Sequence, residues 1–108
     1  MKNDAVYIAD IKRALERILA YTKHGKGSFL QDEQIQDAVL RNFQVMGEAA
    51  RRISDATQQK HPEIPWSDLI GFRNVVIHDY AELDLERLWD TIEKDVAMLK
   101  KHIDSITE

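Results

Sequence analysis

Apolar residues recur every three or four positions along three stretches of the chain, and this spacing limits the folds that it can adopt. A stripe with this period covers one face of an α-helix, whereas a half-buried strand alternates every second residue. The three stripes are Ile8, Ile11, Leu15, Ile18 and Thr22; Ile35, Val39, Asn42, Met46, Ala49 and Ile53; and Leu85, Leu88, Ile92, Val96, Leu99, Ile103 and Ile106. No segment alternates over a useful length, so the sequence predicts an all-α fold.

Glycines, prolines and capping residues indicate where these helices begin and end. We expect a first helix over residues 4–23, because the segment His24–Ser28 carries two glycines and interrupts the stripe. The second stripe predicts one helix over residues 31–59, about 40 Å long at 1.5 Å per residue. Two prolines exclude a helix within residues 61–65.

The second half of the chain predicts one short helix and one long helix. The short helix is expected to begin near Pro65 or Ser67 and to continue to about Ile77. Asp84 is a suitable N-cap for the final helix. The expected architecture is an up-and-down bundle of three long helices plus one short helix, in a single domain over residues 1–108.

Composition restricts the classes of function. The chain has no cysteine, which excludes disulfides, thiolate metal sites and a cysteine nucleophile. Its histidines lack ligand spacing, so we expect no metal site and no cofactor. No apolar run reaches the roughly 20 residues that span a bilayer, and the N-terminus lacks the apolar core of a secretion signal. A cytoplasmic protein without membrane contact is expected.

The charge of the chain is negative overall and uneven. The net charge of −4 argues against a protein that coats nucleic acid, so any RNA contact is expected to be local. Residues 61–108 carry five Lys/Arg against eleven Asp/Glu. This acidic half predicts a solvated helix face or a face for a basic protein partner.

The segment Arg73-Asn74-Val75-Val76-Ile77-His78-Asp79-Tyr80 concentrates the reactive side chains of the chain. Arginine can hold a phosphate as a fixed cation, histidine can carry a proton near neutral pH, and tyrosine can donate a hydrogen bond. This set suits RNA cleavage by the RNA's own 2′-hydroxyl, with His78 as base or acid and Arg73 stabilising the phosphorane. One copy supplies one histidine to this chemistry, and a two-fold dimer would supply two.

A purely structural role explains the same segment. Arg73 bonded to an acidic neighbour and His78 bonded to a carbonyl, beside three core residues, would produce the same string of residues. On an ideal helix these two positions are about 140° apart, so the groups converge only if the helix ends near His78 and the chain turns there. We expect Asn74, Asp79 and Glu48 to support the site, although Glu48 could equally pair with Arg51 or Arg52 on its own helix.

Three segments resemble the HepT-like family of the HEPN superfamily. The motif matches the family signature R-N-x-x-x-H-x-Y in full. Upstream, Val45-Met46-Gly47-Glu48-Ala49-Ala50 is similar to the apolar-G-E-A segment of the family. Ile64-Pro65-Trp66 and Asp84-Leu85-Glu86-Arg87-Leu88-Trp89 fall where the family has similar stretches. The resemblance covers nearly the whole chain.

The resemblance implies the toxin of a type VII-like HepT/MntA toxin–antitoxin pair. Members of the family are metal-independent ribonucleases that act as homodimers, with two Arg-x4-His motifs facing each other across the interface. Carried over to this chain, Arg73 and His78 are catalytic and Asn74 supports the polar network. The antitoxin is an MntA-type minimal nucleotidyltransferase that transfers AMP to the motif tyrosine, which is Tyr80 here.

Two other functions fit the sequence. The first is a non-catalytic helical module that binds a minimal nucleotidyltransferase and is modified by it. The second is a plain helical dimerisation domain, since a long apolar stripe can serve a dimer face as well as a core. RNA cleavage in EDTA, compared with His78→Ala and Arg73→Ala, separates the ribonuclease from the non-catalytic module.

Overall fold

The computed structural model describes residues 2–78 and 84–106, and the side chains of residues 3–72 and 84–106. In chain order the elements are α1 (Lys2–Tyr21), α2 (Lys26–Gln31), α3 (Glu33–Arg52), α4 (Asp55–Lys60), α5 (Trp66–His78), α6 (Leu85–Thr91), a π-helical segment (Ile92–Val96) and α7 (Ala97–Asp104). No strand occurs in the described part of the chain, so the prediction of an all-α fold is confirmed.

The helix α3 is central because it packs against α1 on one side and α5 on the other. The π-helical segment and α7 pack on α1. All the predicted stripe positions are buried except Ile35, Leu85 and Leu88, which are partly buried and pack on the core. Full burial of one such apolar side chain contributes roughly 1.5–3 kcal/mol, so the three stripes supply the main stabilisation of the bundle.

The predicted helix over residues 31–59 is wrong, because it is interrupted at Ile53–Ser54. Both residues have extended backbone angles, with ψ values of 137° and 151°. The Ser54 hydroxyl oxygen accepts from the Thr57 N–H at 3.3 Å and caps α4. The carboxylate of Asp4, at the start of α1, accepts from the Ser54 N–H at 3.0 Å and from the Ser54 hydroxyl at 2.6 Å. This contact with a distant helix stabilises the break.

The short helix α2 also departs from the sequence prediction. The sequence predicts that His24–Ser28 ends the first helix and that the next helix begins at about residue 31, yet a separate helix, α2, begins at Lys26. Gly25 precedes it with a φ of 95°, a left-handed conformation that favours glycine. The Phe29 ring is fully buried, and its centroid lies 5.5 Å from that of Trp89. Burial of this ring explains why so short a helix forms.

The boundaries in the second half agree with the prediction. The helix α5 spans Trp66–His78, close to the expected range. The Asp84 carboxylate accepts from the Arg87 N–H at 3.2 Å, which confirms Asp84 as the N-cap of α6. From α6 the chain continues through the π-helical segment into α7 without leaving helical geometry. This continuous run is the third long helix of the predicted bundle.

Candidate active site

The first half of α5 is held firmly against the core. Trp66 is buried, and its indole N–H donates to the His61 carbonyl at 3.0 Å. Leu69 is fully buried, and the Phe72 ring lies 4.7 Å from the Phe43 ring on α3. The motif begins at the next residue, Arg73. Its upstream end is therefore positioned by packed aromatic and aliphatic side chains.

The next described helix after the motif, α6, is held by contacts with α2. The Lys26 ammonium lies 2.6 Å from the Glu86 carboxylate, which raises the pKa of Lys26. The contact of Phe29 with Trp89 adds an apolar link between the same two helices. The stretch from Arg73 to the cap of α6 thus connects two anchored points. Neither Lys26 nor Phe29 was predicted to have this role, although the apolar Phe29-Leu30 pair after two glycines was a usable signal.

The structure describes one candidate residue fully, others by their backbone alone, and two of them not at all. Arg73, Asn74 and His78 lie on α5, whose backbone is helical through His78. Their side chains, and Asp79 and Tyr80 as a whole, lie outside the described residues. Because one helix carries both Arg73 and His78, their backbone positions are separated by about 140° around its axis. The convergence of these two side chains stays a prediction.

Glu48 is the candidate whose side chain is described. It lies on α3, and its carboxylate is 3.3 Å from the Arg51 guanidinium. One of the two alternatives for this residue, an ion pair along its own helix, is therefore present. Glu48 also lines a shallow concavity of about 350 Å³ between α1 and α3, together with Arg41, Arg52 and Tyr7. Its support for the motif stays a prediction.

Two further observations bear on the chemistry of the site. Among the described residues, no three His, Asp or Glu side chains cluster in a way that could hold a metal ion. No helix within these residues has the length and apolar character needed to cross a membrane.

The fold defines the class of protein. The structure is similar to a solved structure of the tri-AMPylated Shewanella oneidensis HEPN toxin in complex with MNT antitoxin, with a TM-score of 0.69. The two chains are 24% identical, and the similarity covers 96% of each. The chain therefore has the helical fold of a HEPN protein.

Sequence relatives define the family. The model of the ribonuclease HepT-like family matches residues 11–106. A "probable ribonuclease HepT" from Thermococcus cleftensis is 37% identical over 95 residues, which cover 87% of this chain and 86% of the relative. An mRNA nuclease HepT from Shewanella oneidensis is 30% identical over 124 aligned positions that cover 92% of each chain. This chain belongs to the ribonuclease HepT-like family, and its enzyme class is ribonuclease.

Proposed function

We propose that this protein is the toxin of a HepT/MntA-type pair and cleaves RNA without a metal ion, using Arg73 and His78. The observation that supports the proposal is that the backbone positions of Arg73 and His78 both lie on α5. This helix is anchored by Leu69 and Phe72 immediately before Arg73, and it continues to His78. A rigid support of this kind holds catalytic groups better than a loop does.

The chemistry requires two proton transfers and one cation. A base removes the proton of the 2′-hydroxyl, and the 2′ oxygen attacks the adjacent phosphorus. The bond from phosphorus to the 5′ oxygen breaks, and an acid gives that oxygen a proton. A guanidinium stabilises the added negative charge on the phosphorane. We assign the proton transfers to His78 and the charge stabilisation to Arg73.

A homodimer supplies the second imidazole. One copy has one histidine in the motif, whereas the reaction needs a base and an acid. A two-fold axis beside the C-terminal half of α5 would bring two motifs to one cleft. We therefore propose that the active site lies at a dimer interface, with Asn74, Asp79 and Glu48 as supporting residues.

We also propose a partner and a means of control. The Shewanella oneidensis HEPN toxin of similar fold is AMPylated and was solved in complex with an MNT antitoxin. By extension, an MntA-type nucleotidyltransferase would transfer AMP from ATP to the Tyr80 hydroxyl and release pyrophosphate. The added nucleotide brings bulk and negative charge to the motif, so it would oppose RNA entry by steric and electrostatic repulsion.

The nuclease proposal is tested with purified protein, total RNA and excess EDTA. We expect cleavage by the wild type, and a loss of about 10²-fold to 10⁴-fold in His78→Ala because a proton-transfer group is removed. Arg73→Ala should lose about 10²-fold to 10³-fold, as expected for the loss of one charge-stabilising group. The measurement is the initial rate of RNA fragmentation.

Matched controls are available on the same chain. His24→Ala and Arg17→Ala remove the same two side-chain types from exposed positions outside the motif, and both should cleave at the wild-type rate. Intact RNA with unmodified wild-type protein would contradict the proposal. Equal activity of His78→Ala and wild type would assign the cleavage to another residue or to a contaminant.

The AMP proposal is tested by intact mass after incubation with ATP, Mg²⁺ and the purified nucleotidyltransferase. We expect mass increases in whole AMP units and a parallel loss of RNA cleavage. Tyr80→Phe should abolish the increase because it lacks the accepting hydroxyl. Tyr21→Phe, which alters a partly exposed tyrosine on α1, should keep it. An unchanged mass increase in Tyr80→Phe would place the acceptor elsewhere.

A further inference from the structure

A groove of about 340 Å³ lies between the beginning of α5 and the run formed by the π-helical segment and α7. We call it the α5–α7 groove. Its floor is apolar and includes Leu69, Phe72 and Leu99. Met98 lies on its edge with 53% of its surface exposed, whereas Leu99 and Ile103 of the same helix are buried. The groove therefore offers apolar surface that the bundle does not cover.

The rim of the groove is acidic. Glu63, Asp68 and Asp95 line it, and no lysine or arginine is among its described lining residues. Asp68 and Asp95 form no ion pair with any described residue, and Glu63 is 3.6 Å from the imidazole of His61. Three carboxylates around an apolar floor produce a local field that attracts cations and repels phosphates.

The helix geometry beside the groove is unusual. Asp95 belongs to the π-helical segment Ile92–Val96, and Met98 lies three residues after Asp95, at the start of α7. Such π-helical turns are rare and occur often at functional sites, because the extra residue changes the direction of nearby side chains. The apolar stripe nevertheless stays buried through Ile92, Val96 and Leu99, so the core does not lose contacts at this point.

We propose that the α5–α7 groove binds a segment of a partner protein that carries an apolar side chain flanked by lysine or arginine. The apolar side chain would cover Leu69, Phe72 and Met98, while the basic residues would pair with Asp68 and Asp95. This combination of an apolar centre and a charged rim is common in protein interfaces. Residues 61–108, which include the whole groove, carry more Asp/Glu than Lys/Arg, and this excess negative charge favours a basic partner.

Two other occupants fit the groove less well. RNA would bring its phosphates against three carboxylates. A second copy of this chain in a two-fold contact would set Asp68 and Asp95 against the same residues of the other copy, since the same patch meets itself. The proposal does not depend on the cleavage chemistry. Because Phe72 precedes Arg73 on α5, however, a bound partner would contact the helix that carries the motif.

The test uses a short synthetic peptide with one leucine flanked by lysines, labelled with a fluorophore. A second peptide has glutamate in place of every lysine. Fluorescence anisotropy measures the affinity, and the methyl signal of ¹³C-labelled Met98 reports the location. We expect saturable binding of the lysine peptide at millimolar or lower concentration, a shift of the Met98 signal, and no binding of the glutamate peptide.

Matched variants separate this groove from general attraction to an acidic protein. Asp68→Asn with Asp95→Asn should weaken binding about fivefold to tenfold, the effect expected when two partly exposed ion pairs are lost. Glu33→Gln with Asp55→Asn removes the same charge from exposed positions elsewhere and should change the affinity less than twofold. Met98→Ser should weaken binding, whereas Val6→Ser, at a residue 57% exposed on α1, should not.

Several outcomes would overturn the proposal. One is an unmoved Met98 signal at saturating peptide. Equal binding of the two peptides, or equal weakening by the two charge pairs, would show that the carboxylates of the groove do not select the partner. A Met98 shift that follows protein concentration without peptide would assign the groove to a second copy. A shift on addition of single-stranded RNA would assign it to nucleic acid.

Discussion

At the scale of single residues, Asp4 is a buried carboxylate that joins the start of α1 to the break between α3 and α4. It is 2% exposed, and its carboxylate accepts from the Ser54 N–H, the Ser54 hydroxyl and the Thr57 hydroxyl. The hydrogen bonds from these two hydroxyls lower its pKa further than burial raises it. A buried carboxylate is costly without partners, and these three donors offset that cost.

We expect Asp4→Asn to lower the free energy of unfolding by about 1–3 kcal/mol at pH 7, because it loses hydrogen bonds to a charged acceptor. The folded pKa of Asp4 is below the unfolded value, so its contribution is fully present above about pH 4. The contribution is lost as the pH falls through the folded pKa. The difference between wild type and variant should therefore shrink below about pH 4. Urea unfolding at several pH values measures it.

The matched control is Glu16→Gln, which removes a carboxylate from an exposed position on the same helix. It should change stability by less than about 0.5 kcal/mol at either pH. An Asp4→Asn variant as stable as the wild type at pH 7 would contradict the role assigned to these hydrogen bonds.

At the scale of elements, α2 depends on the backbone of Gly25. Its φ of 95° belongs to a region that residues with a Cβ atom rarely adopt. Two residues on, Gly27 lies inside α2, where any residue with good helix propensity is favoured. A Cβ atom added at either position would meet no atom within 4 Å. Both positions therefore have room for a Cβ atom, and the two glycines differ only in backbone conformation.

We expect opposite effects when alanine replaces these glycines. Gly25→Ala should destabilise the protein by about 1–3 kcal/mol, because a positive φ with a ψ of −178° is a conformation that almost only glycine adopts. Gly27→Ala should stabilise it by up to about 1 kcal/mol because alanine has less backbone freedom to lose. Thermal or urea unfolding measures both. Similar effects of the same sign would contradict the assigned backbone conformation of Gly25.

At the scale of the whole molecule, the proposed shared cleft predicts how subunits combine. If one cleft needs the His78 imidazoles of both copies, a dimer of wild type and His78→Ala is inactive. After subunits are mixed in equal amounts and exchanged, roughly a quarter of the dimers are fully wild type. Activity for each wild-type subunit should then fall to about half.

The measurement is RNA cleavage by wild type that has been refolded together with increasing amounts of His78→Ala. At constant total protein, a fall of the total activity with the square of the wild-type fraction supports a shared cleft, whereas a linear fall indicates that each copy works alone. Wild type refolded with His24→Ala serves as the control and should keep full activity, because His24 is an exposed residue of the turn after α1.

Local patterns in the sequence were sufficient to predict the first helix, the final helical run, the non-helical segment at the prolines and the cap at Asp84. These features depend on neighbours within one or two helical turns, so the order of residues alone specifies them. The motif Arg73–Tyr80, with the segments around it, was likewise sufficient to indicate the family, which the family model and the relatives confirm.

Contacts between distant residues decided the rest. The break at Ile53–Ser54 depends on Asp4, which is fifty positions away, and α2 depends on the packing of Phe29 against Trp89. The α5–α7 groove exists because residues of α5 and α7 line the same concavity, and no local pattern in the sequence indicates that. The convergence of the Arg73 and His78 side chains stays a prediction. Positions five residues apart on one helix do not share a face, so the local sequence alone does not specify it.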